Sequence, residues 1–126
     1  LPTYLDSYGY SVLEFFSCGL PVITTSINAL EEINDLERGW ILNLPLVETE
    51  YGLKRVRDRA SLENRKQISE TLTNLIYHQI DTLLASPQQT SEVIRKKGQA
   101  AFQYIIENHS TQKNIQRLET IYDSFY

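Results

Sequence analysis

Two carboxylates and a glycine near the start of the chain have a spacing that suits anion and hydroxyl recognition. In "DSYGYSVLEFFSCGLPV", residues 6–22, Asp6 and Glu14 stand on either side of Gly9, with Ser7 and Ser11 between them. A glycine lets the backbone approach a ligand closely. The first N–H groups of a helix have no intrahelical partner, so a helix beginning at Gly9 offers donors to an anion such as a diphosphate. Glu14, one turn further in, would accept hydrogen bonds from hydroxyls of the same ligand, and Asp6 would add an acceptor ahead of the turn. Two plainer readings stay open. Glu14 is a solvated surface residue, or Ser11 and Glu14 form a capping box in which Glu14 reaches back to the Ser11 amide.

Stepping this helix at 100° per residue separates the two possibilities for burial. Val12, Leu13, Phe15, Phe16 and Gly19 fill one arc, while Tyr10, Ser11, Glu14, Ser17 and Cys18 fill the opposite one. Glu14 is therefore the charge on a face of small or hydroxyl-bearing side chains, outside the apolar stripe.

The elements that must hold these residues follow from punctuation. A helix from about Gly9 stops at Gly19, followed by Leu20-Pro21. Val22-Ile23-Thr24-Thr25 is a short β-branched run that reads as a buried strand. A short helix over Ala29 to Ile33 and a strand over Trp40 to Leu44 complete a helix, strand, helix, strand rhythm. From Ser61 onward the pattern is helical. Ile68, Leu72, Leu75, Ile76, Ile80, Leu83 and Leu84 mark one long amphipathic helix ending before Ser86-Pro87. Thr90 or Ser91 caps a second, with Ile94, Ala101, Phe102 and Ile105 on one face to about Asn108. Ser110 or Thr111 caps a third, with Ile115, Leu118, Tyr122 and Phe125. All three stripes are expected to face the core.

The fold class expected is therefore α/β, with few parallel strands followed by a helical C-terminal region. Residues 1–45 form the α/β motif region and residues 61–126 the C-terminal helices. Two short strands fall below the five or six of an average sheet. That shortfall, together with a start at Leu1-Pro2 and no Met in the chain, reads as part of a longer protein whose remaining strands lie upstream.

Bulk properties narrow the function classes. At 126 residues, 41% apolar and 22% charged, the chain has enough apolar content for one packed domain. The single Cys18 forms no internal disulfide and no zinc cluster, which suits a reducing compartment, and no metal-ligand set is readable. Nothing resembles a signal peptide or a run of ~20 apolar residues. A net charge of −4 argues against nucleic acid as a partner. The charge is uneven. Glu31, Glu32, Asp35, Glu37, Glu48 and Glu50 face only Arg38 between residues 31 and 50, whereas Lys54, Arg55, Arg57, Arg59, Arg65 and Lys66 outnumber Asp58 and Glu63 between 54 and 66. Solvated faces explain both blocks, and contact of the basic one with an anionic lipid surface is the sharper alternative.

The letters carry more than the chemistry. "LPTYLDSYGYSVLEFFSCGLPVITTSINALEEI" followed by "ERGWIL" resembles the nucleotide-sugar motif of retaining glycosyltransferases with two Rossmann-like domains, the B-type fold, called group 1 or family 4. The matching positions are Pro2-Thr3, Gly9, Leu13-Glu14, Cys18-Gly19, Pro21-Val22-Ile23, Glu32-Ile33 and Gly39. Asp6 and Glu14 keep the family's separation of its two acids. The resemblance implies the C-terminal part of the donor-binding, Rossmann-like domain, with the N-terminal acceptor domain absent. It implies Asp6, Ser7, Tyr8 and Gly9 at the donor sugar, Gly9, Tyr10 and Ser11 at the diphosphate, and Glu14 at the ribose hydroxyls.

The partners implied are a nucleoside diphosphate sugar as donor substrate and a carbohydrate or lipid-linked acceptor; independently of the resemblance, the helices and an exposed sheet edge allow a homo-oligomer. No cofactor or metal is expected. The location implied is cytoplasmic, free or peripheral at the inner membrane face. His78 and His109 match no family position and read as structural or solvated.

Departures from the family pattern are Asp6 in place of a longer Glu, Phe15 in place of Ala, Asn28-Ala29 in place of a glycine pair, and Glu31 in place of Pro. They favour a rival reading, a non-catalytic glycosyltransferase-like domain that stabilises or recruits a partner. An unrelated response-regulator-like α/β module is a further rival, although Asp6 lacks the adjacent acid that such a Mg²⁺ site needs. On the glycosyltransferase reading this chain alone lacks half the cleft and is inactive by itself.

Overall fold

The computed structural model describes residues 2–3, 8–48, 54–56 and 62–125. Helix α1 (Tyr10–Ser17) is held at both ends by backbone geometry. At its C-terminal end Gly19 adopts φ 69°. The Leu20 N–H donates to Phe15 O at 3.0 Å and the Gly19 N–H to Phe16 O at 2.9 Å. This is the paired bonding of a Schellman stop, which needs a left-handed residue where glycine stands.

The chain then enters β1 (Val22–Thr25), turns through the short α2 (Leu30–Ile33) and returns in β2 (Gly39–Leu42). The two strands are parallel, with Val22 opposite Gly39 and Thr25 opposite Leu42. A buried asparagine locks this pair. Asn34, fully buried, shares the two protons of Nδ2 among Val22 O at 3.4 Å, Thr24 Oγ1 at 2.9 Å and Trp40 O at 3.2 Å. Its Oδ1 lies 2.4 Å from where a Cβ on Gly39 would be, so only glycine fits beneath it.

A second, antiparallel pair joins β3 (Leu46–Glu48) to β4 (Lys54–Val56), with Val47 opposite Arg55. Nothing in the sequence pattern announced this hairpin. Three helices complete the chain: α3 (Leu62–Leu84), α4 (Pro87–Asn108) and α5 (Thr111–Asp123). The architecture is mixed α/β, mostly helical, with a small parallel sheet. Among the described residues no helix is long and apolar enough to cross a membrane.

The core lies where α4 packs on α1 and on the β1–α2 unit. Val12, Phe16, Val22, Ile27, Leu30, Ile33 and Ala101 form one buried cluster, with Leu13, Ala29, Tyr104 and Ile105 packed against it. Each fully buried Val, Leu, Ile or Phe contributes about 1.5–3 kcal/mol relative to exposure. The crossing of α4 over α1 is unusually close. A Cβ on Gly98 would lie 2.1 Å from Gly19 O.

Three expectations need correction. Helix α4 starts at Pro87, with Ser86 as N-cap, rather than at Thr90 or Ser91. Proline fits the first helical position because its missing N–H would be unpaired there anyway, and the Thr90 hydroxyl instead donates to Leu83 O at 2.6 Å. The α1 stripe is narrower than drawn, since Phe15 is half exposed. The stripes of the last three helices face the core less than expected: on α5, Ile115, Leu118, Tyr122 and Phe125 are 50–77% exposed and no residue is buried, and Ile80 and Leu84 of α3 and Ile94 and Phe102 of α4 are 41–69% exposed as well. Ser110 caps α5 as expected, accepting from the Lys113 N–H. Helix α5 does contact α4, yet its apolar face stays largely exposed.

Gly98→Ala tests the crossing. The added methyl gains roughly 0.5–1 kcal/mol of helix propensity but meets backbone atoms that cannot rotate away. Overpacking of this kind costs about 1–3 kcal/mol, so the substitution is expected to lower the denaturation midpoint. A midpoint unchanged or raised would show that α4 does not lie this close to Gly19.

Candidate functional site

The start of α1 is built from the Gly9 turn. Gly9 adopts φ 77°, ψ 40°, the left-handed region, and serves as N-cap without a side-chain bond. Its carbonyl accepts from the Val12 N–H at 2.9 Å and the Leu13 N–H at 3.4 Å. Ser11 is inside the helix, so the capping-box reading fails: the cap is Gly9, and Glu14 lies four residues past Tyr10 on the helix surface. The Tyr10 and Ser11 amides have no hydrogen-bond partner among the described residues. These are the donors that a helix start leaves for an anion.

Gly9 itself is buried, because Leu30 Cδ2 lies 2.4 Å from where its Cβ would be. The turn therefore rests on the first residue of α2. Above it the side chains are open: Tyr10 is 71% exposed, Tyr8 40%, and Ser11 and Glu14 are exposed. The Tyr8 and Tyr10 rings lean together over the turn, 4.9 Å between centroids. Glu14 makes no side-chain hydrogen bond or ion pair among the described residues, while its backbone oxygen accepts from the Ser17 hydroxyl at 2.7 Å.

The site's position relative to the sheet comes from two contacts. Thr25, the last residue of β1, accepts the Thr3 N–H at 3.2 Å, and its hydroxyl donates back to the Thr3 carbonyl. Leu30, just beyond the same strand end, supports Gly9. Both ends of the segment from Thr3 to Gly9 are thus fixed at the carboxyl edge of β1. Ligands of open α/β sheets bind at that edge. Asp6 and Ser7 lie outside the described residues. The structure brings Tyr8, Gly9, Tyr10, Ser11 and Glu14 together around one helix start.

One element at this edge escaped the sequence reading in an informative way. Asn28 adopts φ 43°. Among non-glycine residues asparagine tolerates the left-handed region best, so the backbone shape a glycine would serve is kept.

A second group of side chains, missed in the sequence, braces the turn after α2. Asp35 Oδ1 accepts the Glu37 and Arg38 N–H groups at 2.9 and 3.0 Å and its other oxygen pairs with Arg38 at 3.0 Å. Arg38 also donates to Ile33 O at 3.0 Å, and its guanidinium lies 4.1 Å from the centroid of the Tyr104 ring. Lys97 of α4 donates to Leu36 O and faces the Trp40 ring at 5.2 Å. Burial holds the Lys97 amine below its ordinary range, against the pull of Asp35 and Glu37. These cations are engaged in packing, and only long-range pairing of α4 with the α2–β2 turn reveals it.

At the other end of α1 lies a depression of about 400 Å³ between Cys18, Gly19, Ile94, Gly98 and Phe102. The exposed thiol of Cys18 borders it. Among the described residues no group of His, Cys, Asp and Glu could hold a metal ion. His78 is exposed on α3. His109 stacks against Tyr104, 5.3 Å between centroids, with Nε2 3.4 Å from the phenol oxygen. No protein-family model, curated protein or solved structure matches the chain.

Burial first, and then the positive charge of Arg117, lowers the His109 pKa. The folded chain therefore binds this proton less readily than the unfolded chain. Stability from this group is complete above the ordinary histidine value of about 6.5 and falls as the pH drops through it. Melting temperatures measured from about pH 8 to pH 5 are expected to fall more steeply for the native chain than for His109→Gln. Parallel curves would remove His109 as the cause.

Proposed function

We propose that this chain is the nucleotide-sugar-binding part of a retaining glycosyltransferase of the B-type fold, and that its parallel strands belong to a Rossmann-like sheet. The observation that carries the reading is the helix start itself: Tyr10 and Ser11 amides without a partner among the described residues, above a glycine turn at the carboxyl edge of a parallel strand, with a Glu14 carboxylate, likewise without a partner among the described residues, one turn inside. In the proposal, Gly9, Tyr10 and Ser11 hold the diphosphate and Glu14 accepts from the ribose hydroxyls. Asp6, Ser7 and Tyr8, with Gly9, face the donor sugar.

The chemistry follows from charge. Transfer of the sugar with retention leaves a nucleoside diphosphate, so negative charge grows on the diphosphate oxygens in the transition state. A helix N-terminus carries about half a positive charge, and donors aimed at developing charge lower the barrier. Because Gly9 is fixed against Leu30, the amides need little reorganisation when the anion forms. Glu14 has a separate task, fixing the nucleotide's position by charge-assisted bonds. The acceptor approaches from a further domain.

Support comes also from the motif's special positions. Gly9 and Gly19 have positive φ, and Gly39 has no room for a side chain. The letters that carry the resemblance thus coincide with places where the backbone is constrained.

The test is titration of the full-length protein that carries this chain with UDP, GDP and ADP. One of the three is expected to bind, and Glu14→Ala to weaken it about 10-fold or more, since a hydrogen bond to a charged group contributes roughly 1.5–3 kcal/mol. The matching nucleoside monophosphate, which keeps the ribose, should show the same Glu14 dependence. Binding of none of the three, or equal binding by the variant, would overturn the proposal.

A further inference from the structure

We infer that Thr25 is a positioning residue for the donor sugar: its hydroxyl fixes one end of the segment that carries Asp6, Ser7 and Tyr8, so its loss weakens sugar recognition while nucleotide binding persists. The inference rests on the proposed nucleotide-sugar function and adds to that site a residue from outside it. Thr25 is fully buried among residues of this chain, so its contacts owe nothing to an exposed face.

Two threonines end β1, and in sequence they look equivalent. Successive side chains of a strand point to opposite faces, and the two hydroxyls have different partners. Thr24 Oγ1 accepts from Asn34 Nδ2 at 2.9 Å and belongs to the bracket that locks β1 to β2. Thr25 Oγ1 accepts from the Thr3 N–H at 3.2 Å and donates to the Thr3 carbonyl, so this one side chain supplies both bonds of a sheet rung. The Thr25 carbonyl is engaged elsewhere, accepting from the Ile27 N–H at 3.0 Å.

The hydroxyl stands on a rigid base. The Ser26 N–H donates to Leu42 O at 3.1 Å and the Leu30 N–H to Ile27 O at 3.0 Å, which ties residues 25–30 to one another and to β2. Thr25 at one end of this run holds Thr3, and Leu30 at the other lies under Gly9. Both ends of the segment from Thr3 to Gly9 therefore rest on one short stretch of chain. A segment held at both ends has less freedom to lose when a ligand orders it than a segment held at one. In the proposed site the Gly9 end presents the Tyr10 and Ser11 amides and Glu14 to the diphosphate and ribose, whereas Asp6, Ser7 and Tyr8, between the two ends, face the sugar. Releasing Thr3 leaves Leu30 under Gly9. The diphosphate and ribose contacts then persist, and only the sugar contacts loosen.

The test titrates the full-length protein that carries this chain with whichever of UDP, GDP and ADP binds, and with the glucose, galactose, mannose and N-acetylglucosamine conjugates of that nucleotide. Thr25→Val, which keeps the shape and removes the hydroxyl, is expected to weaken the best-bound conjugate about 3- to 10-fold, the scale of a neutral hydrogen bond, with the nucleoside diphosphate affinity unchanged within about 2-fold. Thr25→Ser, which keeps the hydroxyl, should restore the native ratio of the two affinities. Thr24→Val removes the other buried hydroxyl of β1 and should lower the melting temperature without moving that ratio. A ratio unchanged by Thr25→Val, moved equally by Thr24→Val, or not restored by Thr25→Ser would overturn the inference. So would loss of the folded state with Thr25→Val, because Thr25 would then serve the core rather than the segment. If no nucleotide binds, the proposed function falls and this inference with it; if a nucleotide binds through Glu14 and the ratio does not move, this inference alone falls.

Discussion

The contact between Gly19 and Gly98 sets the geometry from which the rest follows. Because Gly98 has no side chain, the backbone of α4 reaches the carbonyl that ends α1. Three residues further along α4, Ala101 is fully buried, and one turn beyond, Tyr104 meets Phe16 edge-on at 6.3 Å. Small residues at the crossing and large ones on either side are what let two helices approach this closely and still fill the space between them. With α4 at that depth, Lys97 reaches Leu36 and Trp40, and Tyr104 reaches Arg38. The turn between α2 and β2 is thereby fixed to the same helix that fixes α1. The start of α1 inherits its position from this frame, because Leu30, under Gly9, belongs to the braced unit.

How much of this was legible follows from the range of the interactions. Gly19 followed by Leu20-Pro21 announced a helix stop because a Schellman motif is local. The β-branched run at Val22 announced a strand for the same reason. Asn34 did not announce itself: its partners Val22 and Thr24 are more than nine residues away, and nothing in "EEINDLERG" distinguishes a buried bracket from a surface turn. The α5 stripe was legible as a stripe, but periodicity states only which residues share a face. What covers that face is a question about other elements, and the expectation of a core-facing helix went beyond the pattern.

The candidate site shows the same division. The angular argument placed Glu14 off the apolar stripe, and it is exposed. The choice of Gly9 over Ser11 as cap was not decidable from spacing, because both "GYSV" and "SVLE" contain acceptable caps. Tertiary contact decides it: Leu30 packs against the glycine and helical geometry begins at Tyr10. Asn28 is the opposite case. Read as letters, it departs from a glycine pattern; read as backbone, φ 43° preserves what glycine provides. Residue identity overstated the difference because asparagine and glycine share the left-handed region.

The arrangement around Gly9 is best understood as a rigid floor with an unsatisfied upper surface. Below the turn, Leu30, Val12 and Phe16 are at most 1% exposed and close-packed, so the amides cannot turn inward to find other partners. Above it, Tyr10, Ser11 and Glu14 are exposed. On the proposed reading, a ligand bearing both an anion and hydroxyls would meet groups already in place and gain from that preorganisation. Arg38 and Lys97, held by Asp35, Ile33, Leu36 and the rings of Tyr104 and Trp40, brace the α2–β2 turn, and with it the α2 unit on which this floor rests.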